Sequence, residues 1–302
     1  MLAGDYHWPW SKHNKTGAIE VSTKGLPSCR LKLVGPGDHS FKQMMSEFFG
    51  NEPQELIRMA TPTCVFLMNG SDKALVGYDL TYEFLAPDGK ATSNEAGGVL
   101  MPALMHQPWS TMPEDLMVAI VPGSARLISP LFSIGGLSKG QTIPVADEAD
   151  EKRQKELFGG AIKYTLDWSS SLTVSLDGVF FEDGSFVGPD ASQFFEVTKA
   201  AVDANRDVLE WFATAVRKRE QKGENVESVF SELQGMVKDL SQPFKGTPAD
   251  SYGIHKLKAV EAILRMREKL GAARVVHEQM KMLETKWPVL HKMPTERSEG
   301  LN

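Results

Sequence analysis

At Gly188-Pro189 the hydrophobic pattern of this chain changes period, and that change constrains its architecture more than any other feature. Before it, Val76, Tyr78, Leu80, Tyr82 and Phe84 alternate with Gly77, Asp79, Thr81 and Glu83. Period two places successive side chains on opposite faces of a strand. After it, Phe194, Val197, Ala201, Ala204, Val208, Trp211, Phe212 and Ala215 fall on one stripe of a helix, the signature of a period near 3.6. A strand-rich front and a helical back are therefore expected.

In the front part, Val65 to Met68 and Val76 to Phe84 flank the polar cluster Asn69-Gly70-Ser71-Asp72, which predicts a β-hairpin. Leu172, Val174 and Leu176 alternate with Thr173 and Ser175. Val179 to Phe181 then leads through Asp183-Gly184 to Phe186 and Val187, which predicts a second hairpin. Short strands are expected at Ile19–Val21, Arg30–Val34, Met117–Val121, Arg126–Ile134 and Tyr164–Leu166, with short helices at Phe41–Phe49 and Glu52–Met59. Lys90 to Pro113 reads as a long surface excursion, and Asp147 to Glu156 as a solvated loop or short exposed helix. Roughly seven to nine short strands at this spacing point to a two-sheet sandwich.

In the back part, Asp190 or Ser192 can cap a helix running to about Lys222, with Gly223 just past its end. Asn225 caps a second helix carrying Val226, Val229, Phe230, Leu233, Val237 and Leu240, stopped by Pro243. A third runs from about Ser251 to Lys286, with Gly271 as a kink. The expected fold class is α+β: an antiparallel β-sandwich followed by a C-terminal segment of about three helices. The expected divisions are an extended arm (1–18), a sandwich domain (19–189), a helical segment (190–290) and a polar tail (291–302).

A net charge of −6 argues against a general nucleic-acid binder, because phosphate neutralisation requires a basic surface. Lys256, Lys258, Arg265, Arg267, Lys269, Arg274, Lys281 and Lys286 make the last helix locally basic, a pattern that a solvated face explains. No run approaches the ~20 apolar residues of a membrane helix, so no membrane span is expected. The first fifteen residues, MLAGDYHWPWSKHNK, lack the apolar stretch of a secretory signal. The compartment is cytoplasmic by default, and exported if a leader has been removed. Tyr6, Trp8 and Trp10 would dock such an arm on the body or on another subunit. Cys29 and Cys64 are the only cysteines and form no CxxC pair, so they are either one disulfide or two free thiols.

Four carboxylates within fourteen residues, Asp177, Glu182, Asp183 and Asp190, are the candidate metal ligands. Hard cations take six to eight oxygen ligands from flexible loops. Hairpin-turn chemistry fully accounts for Asp183, and helix capping for Asp190. The seven histidines form no HxH, HxxxH or HExxH pairing, and the chain holds no GxSxG elbow and no glycine-rich phosphate loop. No catalytic residue and no cofactor are expected.

The stretch Thr63 to Phe84, with Lys73-Ala74-Leu75-Val76-Gly77-Tyr78 entering its second strand, resembles a hairpin of bacterial immunoglobulin-like or fibronectin-III-like sandwiches. The resemblance implies an antiparallel sandwich and a cell-surface module. The functional expectation is a non-enzymatic interaction or structural protein, with a protein partner or self-association through the helical segment. The alternatives are an enzyme or small-ligand binder with its site between sandwich and helices, and an exported surface module.

Overall fold

The computed structural model describes residues 20–99, 119–132, 136–240, 248–284 and 287–294. The aromatic arm, the part of the excursion from 100 to 113 and the end of the tail lie outside these residues. Along the chain run β1 (Glu20–Lys24), β2 (Leu31–Val34), α1 (His39–Phe49), α2 (Glu55–Ala60), β3 (Val65–Asn69), β4 (Leu75–Leu85), β5 (Ala91–Val99) and β6 (Ala125–Ile128). There follow α3 (Glu148–Trp168), β7 (Ser171–Phe181), β8 (Ser185–Val187), α4 (Phe194–Gln221), α5 (Glu227–Leu240), α6 (Pro248–Leu270), α7 (Ala272–Glu284) and β9 (His291–Lys292).

This order overturns the expected sandwich followed by three helices. Seven helices are described, three of them interleaved with the strands, and the sheets are small and mixed. One sheet runs β5-β4-β7-β8-β9 with β1 added beside β7; the other runs β2-β3-β6. Two pairings are parallel, β1 with β7 and β8 with β9. An all-antiparallel immunoglobulin-like arrangement is therefore not supported.

The predicted hairpin of β3 and β4 does not form. β3 pairs with β2 and β6, whereas β4 pairs with β5 and β7, so the polar turn between them carries the chain from one sheet to the other. The second predicted hairpin does form, with Val179 opposite Val187 and Phe180 opposite Phe186. The first part of the expected surface excursion is strand β5, paired along β4 from Ala91 to Val99. Its Thr, Ser, Asn and Glu residues lack the apolar alternation that marks a half-buried strand.

The stretch expected as a strand near Tyr164 is the C-terminal part of α3. That helix starts at Asp147, whose side chain accepts a hydrogen bond from the Asp150 amide at 2.8 Å, and it carries Glu148, Asp150 and Glu151 in its first turn. Acidic residues there complement the positive end of the helix dipole. Phe158 and Ile162, one turn apart, are buried, and Phe158 joins a core with Leu56 and Ile57 of α2 and Phe66 of β3.

Between the sheets lies one apolar core, with Leu33, Val65, Leu67 and Ile128 on one side and Leu80, Tyr82, Leu172, Val174 and Leu176 on the other. Register shifts between Leu75 and Gly77 and between Asp79 and Leu80 change which face the residues of β4 present. A bulge of this kind moves the alternation by one position. As a result Val76 and Phe180 face outward, into a separate cluster with Phe186, Phe195 and Val202.

That outer cluster seats the start of α4 on the sheet. At 28 residues the helix is about 42 Å long, and its later turns enter a third core. There Val208, Phe212 and Val216 meet Val229, Phe230 and Leu233 of α5, Val260 and Ile263 of α6, and Val275 of α7. Phe212 and Phe230 meet edge-to-face, centroids 5.5 Å apart, a favoured geometry for buried rings. The expected third helix is broken at Gly271 into α6 and α7, which lets both fold against α4. Among the described residues no helix is long and apolar enough to cross a membrane.

Candidate functional site

A cavity of about 370 Å³ lies where four parts of the chain converge. Ser28, Cys29 and Arg30 come from the turn before β2, and Ser71, Asp72 and Lys73 from the turn between β3 and β4. Phe181 and Val187 come from the β7–β8 hairpin, and Met293 and Pro294 from the segment that follows the helices. The lining combines the apolar side chains of Phe181, Val187, Met293 and Pro294 with polar and charged ones.

Its first wall depends on a left-handed residue. Arg30 has φ 56° and ψ 31° and closes the short 3-10 turn Pro27–Cys29, its amide donating to Pro27 O at 2.9 Å. For a residue with a Cβ this conformation costs roughly 1–2 kcal/mol relative to the right-handed region. Leu26 and Leu31 exchange backbone hydrogen bonds of 3.1 Å across the turn, and the Gly70 amide donates to Arg30 O at 3.0 Å. Gly70 must be glycine for that approach, since a Cβ there would lie 2.7 Å from Arg30 O.

Asn69 fixes the second wall. Its side chain is buried, and Nδ2 donates to Lys73 O at 2.8 Å and to Ile120 O at 2.7 Å. Oδ1 accepts from the Ser71 amide at 3.0 Å and from Ser71 Oγ at 2.6 Å. The backbone of Asn69 is also used, its amide donating to Ser124 O and its carbonyl accepting from Gly123 N. Each polar group of the residue is thus engaged in turning the chain between sheets.

The two turns beside the cavity are joined by Lys73. Its ammonium lies 2.6 Å from Asp183 Oδ2 and 5.9 Å from the centre of the Phe181 ring. The bond to Asp183 raises the Lys73 pKa against a smaller opposing effect of burial. At Asp183 partial burial pushes the carboxyl up, but Lys73 and the hydroxyl and amide of Ser185 outweigh it and hold the group at about 2. Glu182 Oε1 accepts from the Ala74 amide at 3.3 Å, tying the same two turns together.

The four candidate metal ligands divide between two places. Glu182 and Asp183 face the β3–β4 turn, as just described. Asp177 and Asp190 lie at the entrance to α4. Asp177 is buried and accepts from the amides of Ala191 and Ser192, both at 2.9 Å. Asp190 lies before the Gln193 N-cap, accepts from the Phe195 amide in the first turn of α4 at 2.9 Å, and pairs with Lys292 at 2.8 Å. Ser192 Oγ bridges two sheet carboxylates, 2.7 Å from Asp79 and 2.8 Å from Asp177. Among the described residues no three His, Cys, Asp or Glu side chains are grouped to hold a metal ion.

The cysteines are both free. Cys64 is fully buried and donates to Ala60 O, and burial pushes its thiol far above the usual range. Cys29 is half-buried and lines the cavity. Sequence reasoning missed Arg30, Asp72 and Lys73 as a group. The Asn69-Gly70-Ser71-Asp72 cluster was visible as a turn, but nothing local indicates that the Cys29–Arg30 turn would pack beside it.

The chain matches no protein-family model, no curated protein and no solved structure.

Proposed function

We propose that the chain is a binding protein whose ligand is a small amphiphilic molecule held in this cavity. The observation that carries the reading is the mixed lining: Phe181 and Val187 are buried, Met293 and Pro294 add exposed apolar surface, and Ser28, Arg30, Asp72 and Lys73 are polar. Ligand sites are typically concave, of roughly 300–1,000 Å³, with a few polar groups set around an apolar interior. The reading keeps a binding role and moves the contact surface from the helices to the strand body. Support for the move comes from the last helices, whose apolar residues Val260, Ile263, Val275 and Met282 are already buried within the chain.

The test is a titration of the whole chain with octanol, followed by amide chemical shifts and by melting temperature. Saturable shifts confined to residues 28–30, 71–73, 181, 187 and 293, with a rise in melting temperature, are the expected result. Met293 is 42% exposed, so Met293→Trp can fill the cavity from its rim without disturbing a core. That variant should fold normally and lose the shifts. Shifts spread over the surface, or unchanged by Met293→Trp, would reject the reading.

A further inference from the structure

Two cations line the cavity, and the structure treats them differently. Lys73 is held by Asp183 at 2.6 Å and also feels Asp72 and Glu182, so its charge is already balanced within the protein. Arg30 is exposed and forms no ion pair among the described residues. Its backbone is nevertheless kept in the left-handed region, at φ 56°, where glycine is the ordinary occupant. Strained non-glycine residues of this kind persist where the surroundings over-determine them, and they concentrate at ligand sites. Here the surroundings are the Leu26–Leu31 hydrogen bonds and the Gly70 contact on Arg30 O.

Resting on the binding role proposed above, we infer that Arg30 is the anchor for the head of the ligand and that this head is a carboxylate. A guanidinium presents two parallel N–H donors that match a carboxylate in a planar fork. Asp72 stands on the same lining, and its negative charge disfavours a head of charge −2, so a monocarboxylate is selected over a phosphate monoester. The apolar residues of the lining take the body of the acid, and about 370 Å³ accommodates an aliphatic chain of medium length or a single ring. The ligand class is therefore a small free monocarboxylic acid with an apolar body.

The whole chain is titrated by calorimetry at neutral pH with four probes of equal tail length: octanoate, octanol, octylammonium and octyl phosphate. Octanoate should bind about tenfold more tightly than each of the others. Arg30→Gln should erase that preference by lowering octanoate affinity to that of octanol. Arg30→Gly should erase it too, and in addition raise the melting temperature, because the left-handed conformation is then unstrained. A purely structural Arg30 gives the opposite pattern, with octanoate affinity untouched by either variant, and that outcome overturns the assignment. A lower melting temperature in Arg30→Gly also overturns it, since the side chain would then be needed for the fold. Equal binding of all four probes refutes the carboxylate class but leaves the cavity reading standing. Failure of all four to bind refutes both.

Discussion

The turn between β3 and β4 and the turn between β7 and β8 lie side by side, linked by Lys73 and Asp183, yet they direct the chain in opposite ways. The β7–β8 turn sends it back along the strand it came from, with Gly184 N bonded to Phe181 O and Asp183 closing the loop onto Ser185. The β3–β4 turn sends it into the other sheet. Short-range hydrogen bonds suffice for the first. The second needs a buried side chain that reaches a distant segment, and Asn69 provides it through Ile120 O. Reversal is thus a local property of a turn, whereas a change of sheet is a tertiary one.

Breaking the corner should cost more than breaking the hairpin. Asn69→Ala removes four side-chain hydrogen bonds; Ile120 O keeps the Leu75 amide and Lys73 O keeps the Ser71 hydroxyl, while the Ser71 amide loses its partner. A hydrogen bond contributes about 0.5–1.5 kcal/mol net, so a loss of roughly 3 kcal/mol is expected in chemical denaturation. A loss under about 1 kcal/mol would mean that the corner is held by the strands alone.

Gly184→Ala tests the hairpin. The residue has φ +84°, and a Cβ would lie 2.8 Å from Val289 O. The left-handed penalty alone is roughly 1–2 kcal/mol, and the chain at Val289 must also shift. The expected fingerprint is destabilisation together with weakened protection of the His291 amide, which donates to Gly184 O. Unchanged protection at His291 would separate the hairpin from the strand beside it.

The smallest effect belongs to the link between the two turns. Asp183 is held at about 2 in the folded chain, against about 3.9 when unfolded. A lowered carboxylate pKa contributes stability above the unfolded value and loses it as pH falls through the folded one. The Lys73–Asp183 contribution is therefore full above about pH 4 and disappears toward pH 2. The two side chains are 40% and 42% exposed, so after solvent screening the contribution is under about 1 kcal/mol. Lys73→Met should flatten the stability slope between pH 4 and pH 2 by that amount, as read from urea midpoints. An unaltered slope would assign the low value to Ser185 instead.

How far these features could be read in advance depended on the range of the interactions that set them. The alternation of β4, the Asp-Gly hairpin and the long stripe of α4 are local patterns, and each stands where its residues placed it. Pairing of β1 with β7 joins residues 151 positions apart, and no local signal carries it. The inverse error occurred at α3, where Tyr164 to Leu166 has strand-like residues but the Asp147 cap and the burial of Phe158 and Ile162 decide for helix. The cavity was hidden for the reason that hid the corner. Arg30 and Asp72 become neighbours on one lining only after β2 pairs with β3, Leu31 opposite Asn69.

The position of β9 has a consequence for how the molecule is made. His291 and Lys292 pair beside β8 after four helices have intervened, and Met293 N then donates to Phe186 O at 2.8 Å. A ribosome delivers the chain from its N-terminus, so β8 emerges long before the strand that covers its edge. Until then that edge presents unpaired backbone groups, the feature that invites association between nascent chains. The cavity is likewise incomplete until Met293 and Pro294 arrive. The proposed site is thereby complete only once synthesis has passed Pro294.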